Sequence, residues 1–275
     1  MSSLLKTAIQ AAKAAGLIQR RHYGHVRHIR FKSKNKLNLV TEVDDACEKK
    51  VLGLLKKSFP THNFWGEESG QGAGTSEYTW LVDPLDGTTN YAHSYPFFCC
   101  SVALVQNHSP IVGVIYDTLR DECFTAEKGK GAFLNGKRLS VSKTTTLAES
   151  LLCTGFAYAV RETYYNLDNF RQFVLKAQGV RRDGSAALNL AYVAAGRFDG
   201  FWERGIQAWD MAAGVLMVQE AGGKVTDISG RPFDVFAENA LASNGRTHGP
   251  IFRILKAGMD EKNWAAKWAK QPRPE

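Results

Sequence analysis

The chain has 275 residues, 44% of them hydrophobic and 23% charged, so it is long enough to bury a core without disulfide or metal staples. No run approaches the ~18 apolar residues of a helical membrane span, which excludes that class. The net charge of +8 is local: residues 1–41 hold nine Lys/Arg and no acid, while the remainder carries 26 basic against 27 acidic residues.

The first predicted element is a helix over 3–20, in which Leu4, Ala8, Ala11, Ala15 and Ile18 form one apolar face. By composition alone, this basic, acid-free front fits a mitochondrial transit peptide; the apolar face argues instead for a helix packed on a core. A basic loop follows over 20–36, read first as solvated surface and alternatively as a nucleic-acid arm. A second helix is predicted from Asp44 to about Lys57, with Asp44, Asp45 and Glu48 where the helix dipole favours acids. Tyr78–Val82 reads as a buried strand emptying into Asp83-Pro84. Residues 97–105, 111–117 and 122–126 read as further strands, and Asn135-Gly136 is the strongest hairpin signal in the chain. Helices are predicted near 161–177, 185–196 and 209–221, the last ending at Gly222-Gly223, with a tail from about 256. The order implies one layered α+β domain over 1–275 rather than a Rossmann alternation.

Five cysteines, odd in number and without a C-x-x-C pair, point away from a disulfide scaffold or zinc ribbon and toward a reducing, cytoplasmic setting. Cys99 and Cys100 lie in an apolar run and read as inert packing. His22, His25 and His28 drift around a helix among positive charges and make a poor metal site. Gly70, Gly72 and Gly74 lack the strand and helix of a dinucleotide fingerprint, so a loop is expected.

The densest polar cluster is Asp83-Pro84-Leu85-Asp86-Gly87-Thr88-Thr89-Asn90. Two carboxylates three residues apart past a strand end suit hard cations, which take oxygen ligands, and suit equally the capping of a turn. Pro84 stiffens that turn, and Gly87 lets backbone approach a ligand. A short helix opening at Thr88 would add N–H groups that favour an anion, the layout phosphoryl chemistry needs. The three-residue spacing differs from the D-x-D-G-T of aspartyl-phosphate enzymes, so no covalent phosphoaspartate is expected. Gly66-Glu67-Glu68-Ser69 is a second acidic cluster, and Asp210 opens an apolar helix, where an N-cap is the simplest role.

Taken in order and spacing, these blocks, with Trp209-Asp210 through Gly223, resemble the inositol monophosphatase family. The likeness runs over about residues 4–255, through Leu39–Thr41, Asp44, the Gly129–Ser140 hairpin and Gly184 to Glu203. It implies a layered αβαβα fold and a lithium-sensitive, Mg²⁺-dependent phosphomonoesterase, usually homodimeric, with two to three ions per site. Glu67, Asp83, the Leu85 carbonyl and Thr88 are the implied ligands of a first ion, and Asp83, Asp86 and Asp210 those of a second. Glu67 would reach a third through water. Asp44 would orient Thr88 and the attacking water, with Thr88–Asp44 or Glu67 taking up its proton. The Gly87 and Thr88 N–H groups would hold the phosphate oxygens, Asp86 and Asp210 would also bind substrate, and Gly184, Ser185, Ala186 and Glu203 would touch the polyol hydroxyls. Arg181-Arg182 resembles bacterial members and is compatible with a second acidic substrate group or a dimer contact. The implied substrate is a small phosphate ester, inositol 1-phosphate foremost, with histidinol phosphate and fructose 1,6-bisphosphate as alternatives. Because a bacterial relative is associated with transcription antitermination, a further role with RNA or the transcription machinery is a second expectation.

Overall fold

The computed structural model describes residues 1–32, 37–72, 74–158, 160 and 166–258. Its outer layer is a helix pair, α1 (Ser3–His22) and α2 (Glu42–Ser58), lying on one face of an eight-stranded sheet. The small faces of Ala8, Ala11, Ala12 and Ala15 let α1 sit close to α2, where Val43, Cys47 and Val51 meet them. α2 begins two residues before the expected Asp44. Thr41 caps it by accepting the Val43 N–H, and the Asp44 carboxylate reaches back to the Thr41 N–H at 2.9 Å, a capping box.

The large sheet contains β3 (Asn63–Gly66), β4 (Gly70–Gln71), β5 (Tyr78–Asp86), β6 (Cys99–Gln106), β7 (Ser109–Asp117), β8 (Glu122–Glu127), β9 (Gly131–Leu134) and β10 (Lys137–Arg138). Their order is β10-β9-β8-β7-β6-β5-β3-β4, antiparallel except for the β3–β5 pair. Asn135 (φ 48°) and Gly136 (φ 80°) turn β9 into β10, both left-handed as the tight hairpin demands. Alternation with period two divides each strand between layers: Trp80, Val82, Val102 and Leu104 face α1 and α2, and Leu81, Ala103 and Val105 face the opposite layer.

That opposite layer is a second helix pair, α5 (Ala186–Ala194) and α6 (Ala208–Glu220), each buried along most of its length. It is covered in turn by a five-stranded sheet of β11 (Leu151–Thr154), β12 (Gly179–Arg181), β13 (Gly200–Arg204), β14 (Lys224–Thr226) and β15 (Asn239–Ser243), in order β12-β11-β13-β15-β14. Phe201, Ala240 and Ala242 of that sheet point to α5 and α6, whereas Leu152, Trp202 and Leu241 point outward to α4 (Leu167–Val174) and α7 (His248–Gly258) through Phe173 and Ile251. The layers are therefore αβαβα, as expected.

Three boundaries differ from expectation. The basic segment is only partly loop, because Arg20–His22 finish α1 and Ile29–Phe31 form a strand, β1, paired with β2 (Leu39–Thr41). The glycine-rich stretch contributes Gly70 and Gln71 to a short strand. The helix predicted near 161–177 is described as Leu167–Val174; residues 161–165 lie outside the described residues, as does the tail from 259.

Candidate active site

β5, β13, α5 and α6 converge on one cleft of about 350 Å³, whose lining includes Glu67, Asp83, Asp86, Thr88, Glu203 and Asp210. A shift of register after Asp83 lifts β5 off β6, so the Asp83–Asp86 segment bulges and both carboxylates reach the same space. The Asp83 carboxylate also accepts the Leu85 N–H at 2.9 Å, so the turn role and the cluster role coincide. From α1, the buried Gln19 donates to the Pro84 carbonyl at 2.8 Å and holds the bulge from behind. Gly87 must be glycine: its φ is 96°, and a Cβ there would lie 2.9 Å from the Phe97 carbonyl oxygen. Thr88 then opens the expected short helix, α3 (Thr88–Ala92).

Asp83, Asp86 and Asp210 each place a carboxylate oxygen within 4.8 Å of the others. Asp210 is not the N-cap that its position first suggested. It is the third residue of α6, and its carboxylate accepts the Gln207 N–H at 2.7 Å while facing the two β5 acids. Asp86 is fixed by Ser185 Oγ at 2.5 Å and the Ala187 N–H at 2.7 Å, so the start of α5 grips it. Burial pushes the Asp86 pKa up to about 6, with the charge of Glu67 adding to it and the Ser185 and Ala187 bonds opposing. Asp83 and Asp210 are driven well above the usual carboxylate range by burial and by their neighbours' charge. Clustered, water-poor carboxylates that repel one another are stable as anions only with a cation among them. An all-oxygen donor set of this kind fits a hard divalent ion.

Asp44 connects this cluster to a hydroxyl. Its Oδ2 accepts Thr41 Oγ1 at 2.6 Å, and its Oδ1 lies 3.0 Å from Thr88 Oγ1. The same hydroxyl is 2.9 Å from the Leu85 carbonyl, and its single proton serves one acceptor at a time. Burial raises the Asp44 pKa to about 6, with the charge of Glu67 adding and the Thr41 and Thr88 bonds opposing.

Glu67 follows β3, its N–H bound to the Val82 carbonyl at 3.1 Å, which sets it beside Asp83. Lys32 Nζ sits 2.9 Å from Glu67 Oε1 and 2.6 Å from Glu68 Oε1. Burial alone would lower the lysine pKa, but the two carboxylates more than offset it and keep the ammonium charged. Lys32, from the basic run, lines the cleft; Lys34 and Lys36 lie outside the described residues. Arg30 pairs with Asp45, and the Arg27 and His28 amides donate to Glu42, so acidic groups on α2 offset part of the basic segment's charge. Among the described residues the histidines at 22, 25 and 28 form no metal-ligating group, and all five cysteines are free and buried.

On the far side of the cleft Gly184, Ser185 and Ala186 lead into α5, with Ser185 as its N-cap. Asn90 donates to the Phe97 and Asp183 carbonyls, both at 2.7 Å, and so joins the β5–α3 turn to this loop. Glu203, on β13, is 7% exposed and faces Gly155, where any Cβ would fall 2.1 Å from its Oε1. It makes no salt bridge among the described residues. Burial and the charge of Asp86 push its pKa up to about 8, and Arg182 opposes the shift. Near neutral pH such a group is largely a neutral carboxyl, able both to donate and to accept a hydrogen bond.

A profile of the inositol monophosphatase family matches residues 1–259. An inositol-1-monophosphatase of Synechocystis sp. is 44% identical over 94% of this chain and 90% of its own length. The Nus factor SuhB of Pseudomonas aeruginosa is 46% identical over 84% of this chain and 87% of its own. The solved structure of an inositol monophosphatase from Anabaena (Nostoc) sp. superposes with a TM-score of 0.85 at 46% identity, covering 93% of this chain and 96% of that one.

Proposed function

Since the chain belongs to the inositol monophosphatase family and is a phosphoric monoester hydrolase, we propose that it hydrolyses a small polyol phosphate, inositol 1-phosphate foremost, using two to three Mg²⁺ ions. The observation that carries this reading is the convergence of Asp83, Asp86 and Asp210 beside a hydroxyl held by a buried aspartate. Glu67, Asp83, Asp86, Asp210 and the Leu85 carbonyl are the oxygens that would hold the ions. Bound divalent cations supply Lewis acidity toward phosphoryl oxygens and bring the pKa of water toward neutrality.

The chain's own groups do the rest. Thr88 and Asp44 form a two-step path for the proton of the attacking water, from hydroxyl to buried carboxylate. Glu67, beside the same space, is the alternative acceptor. The Gly87–Thr88 backbone at the cleft wall cradles the phosphoryl oxygens as charge builds. Water displaces the alcohol in line, giving phosphate and free polyol, without a phosphoenzyme. No histidine lines the cleft among the described residues, and Lys32 is engaged by Glu67 and Glu68, so the leaving oxygen takes its proton from water. Gly184, Ser185, Ala186 and Glu203 meet the polyol hydroxyls. The family resemblance supports a homodimer as the working unit, and five free, buried cysteines suit a reducing cytoplasm. Among the described residues no helix is long and apolar enough to cross a membrane.

Comparing kcat/KM for inositol 1-phosphate, histidinol phosphate and fructose 1,6-bisphosphate at one Mg²⁺ concentration tests the substrate. Inositol 1-phosphate leads if the reading is right, and a tenfold lead for histidinol phosphate overturns it. The name of the Pseudomonas relative supports a second role with RNA or the transcription machinery. Its signature is RNA retention that falls steeply with salt; no retention at low salt removes it.

A further inference from the structure

The geometry points to Glu48 as a positioning residue: its buried carboxylate clamps the Glu68 and Ser69 amides and thereby aims Glu67 at the Asp83 cluster. The inference rests on the cation-site reading above and adds a residue to it. Glu48 stands one helical turn after Asp44 on α2, so the two acids share a face. Asp44 holds the Thr88 hydroxyl; Glu48 holds the acidic turn. Its Oε2 accepts the Glu68 N–H and its Oε1 the Ser69 N–H, both at 2.8 Å. With the Glu67 N–H bound to Val82, three consecutive amides of the turn are fixed, one by β5 and two by Glu48.

Two further observations mark this as a built contact. Glu48 is only 4% exposed, and no cation pairs with it among the described residues, so its charge is balanced mainly by those two amide dipoles. Gly66 leaves the room it needs, since a Cβ there would lie 2.4 Å from Glu48 Oε2. An apolar side chain would fill the space without burying an anion, but it would leave the Glu68 and Ser69 amides without acceptors. What the carboxylate adds is orientation, because a planar two-oxygen acceptor fixes both position and tilt of the turn. Groups that orient a cation's ligands in this manner commonly change affinity about tenfold when altered.

Glu48→Gln keeps one acceptor oxygen and sets an NH₂ group against the other N–H, with almost no change in volume. The test is a calorimetric titration of Mg²⁺ and Mn²⁺ into metal-stripped wild type, Glu48→Gln, Glu67→Gln and the double variant. Glu48→Gln should weaken the Glu67-dependent ion about tenfold, and in the Glu67→Gln background its added effect should shrink below about twofold. Saturating Mg²⁺ should return most of kcat. A loss of melting temperature with unchanged ion affinity, or a penalty undiminished in the Glu67→Gln background, would overturn the assignment. Amide exchange in metal-free wild type reads the clamp without any variant: Glu68 and Ser69 should be protected, and exchange at open-loop rates overturns it even if Glu48→Gln does not fold. Protected amides in a protein that binds no ion would sink the cation-site reading instead.

Discussion

Asp86→Asn should make the metal-free protein more stable while removing its activity. An ordinary carboxyl pKa of 3.8 raised to about 6 corresponds to about 3 kcal/mol against the ionised form. The sign follows from proton binding: the folded chain keeps its Asp86 proton to higher pH than the unfolded chain does. The penalty is therefore absent below about pH 4 and complete above about pH 6. Asparagine is isosteric and uncharged, and the penalty is already net of the Ser185 and Ala187 bonds, which persist to a neutral amide. The gain at pH 7.5 is up to about 3 kcal/mol, or a rise of roughly 5–10 °C in Tm for a chain of this size. Differential scanning calorimetry in chelator at pH 7.5 and pH 4.5 reads it directly, with the gain at pH 4.5 reduced to about a third. In saturating Mg²⁺ the order should reverse, because ion binding stabilises wild type by mass action and the variant has lost a ligand. A variant that is less stable than wild type at pH 7.5 without metal, or equally stabilised at both pH values, would refute the reasoning.

Lys32→Gln should lower the Mg²⁺ concentration for half-maximal activity, because an ammonium 2.9 Å from Glu67 must yield before that oxygen can serve an ion; initial rates against Mg²⁺ check this, and a raised requirement contradicts it. His248 bonds Ser243 Oγ and Thr226 Oγ1, and burial, with Lys224 adding, pushes its pKa down to about 4. Below pH 6.5 the unfolded chain gains a proton that the folded chain refuses, so stability falls by about 2–3 kcal/mol between pH 6.5 and pH 4. Denaturant titrations in saturating Mg²⁺ should show that slope in wild type and its flattening in His248→Gln.

The turn at Asp83–Asn90 was legible because its chemistry is local, whereas the roles of Glu67, Asp44 and Asp210 came from the family resemblance of several blocks taken together. Asp83 and Asp86 stand three residues apart beside Gly87, and the turn they make is written within one octapeptide. The Asn135-Gly136 hairpin was equally plain, since both residues tolerate the left-handed backbone the turn demands. The start of α2 could also have been found: Thr41 followed three residues later by Asp44 is a capping signature. Asp210 was harder, because its reciprocal partner Gln207 is an uncommon cap. The five-stranded sheet escaped individual prediction, since Gly179–Arg181 and Lys224–Thr226 are three residues long and take their register from partners far along the chain. Lys32 against Glu67, Gln19 against Pro84 and Glu48 against the acidic turn span 20 to 65 positions, and no local periodicity encodes them.

The most direct measurement is phosphate release from inositol 1-phosphate by protein stripped of metal and then titrated with Mg²⁺. No turnover should occur in chelator, and activity should return with added Mg²⁺ in wild type but not in Asp86→Asn or Asp210→Asn. Turnover that persists in chelator, or that Mg²⁺ restores equally in both variants, would contradict the assignment of Asp83, Asp86 and Asp210 as the cation-holding centre.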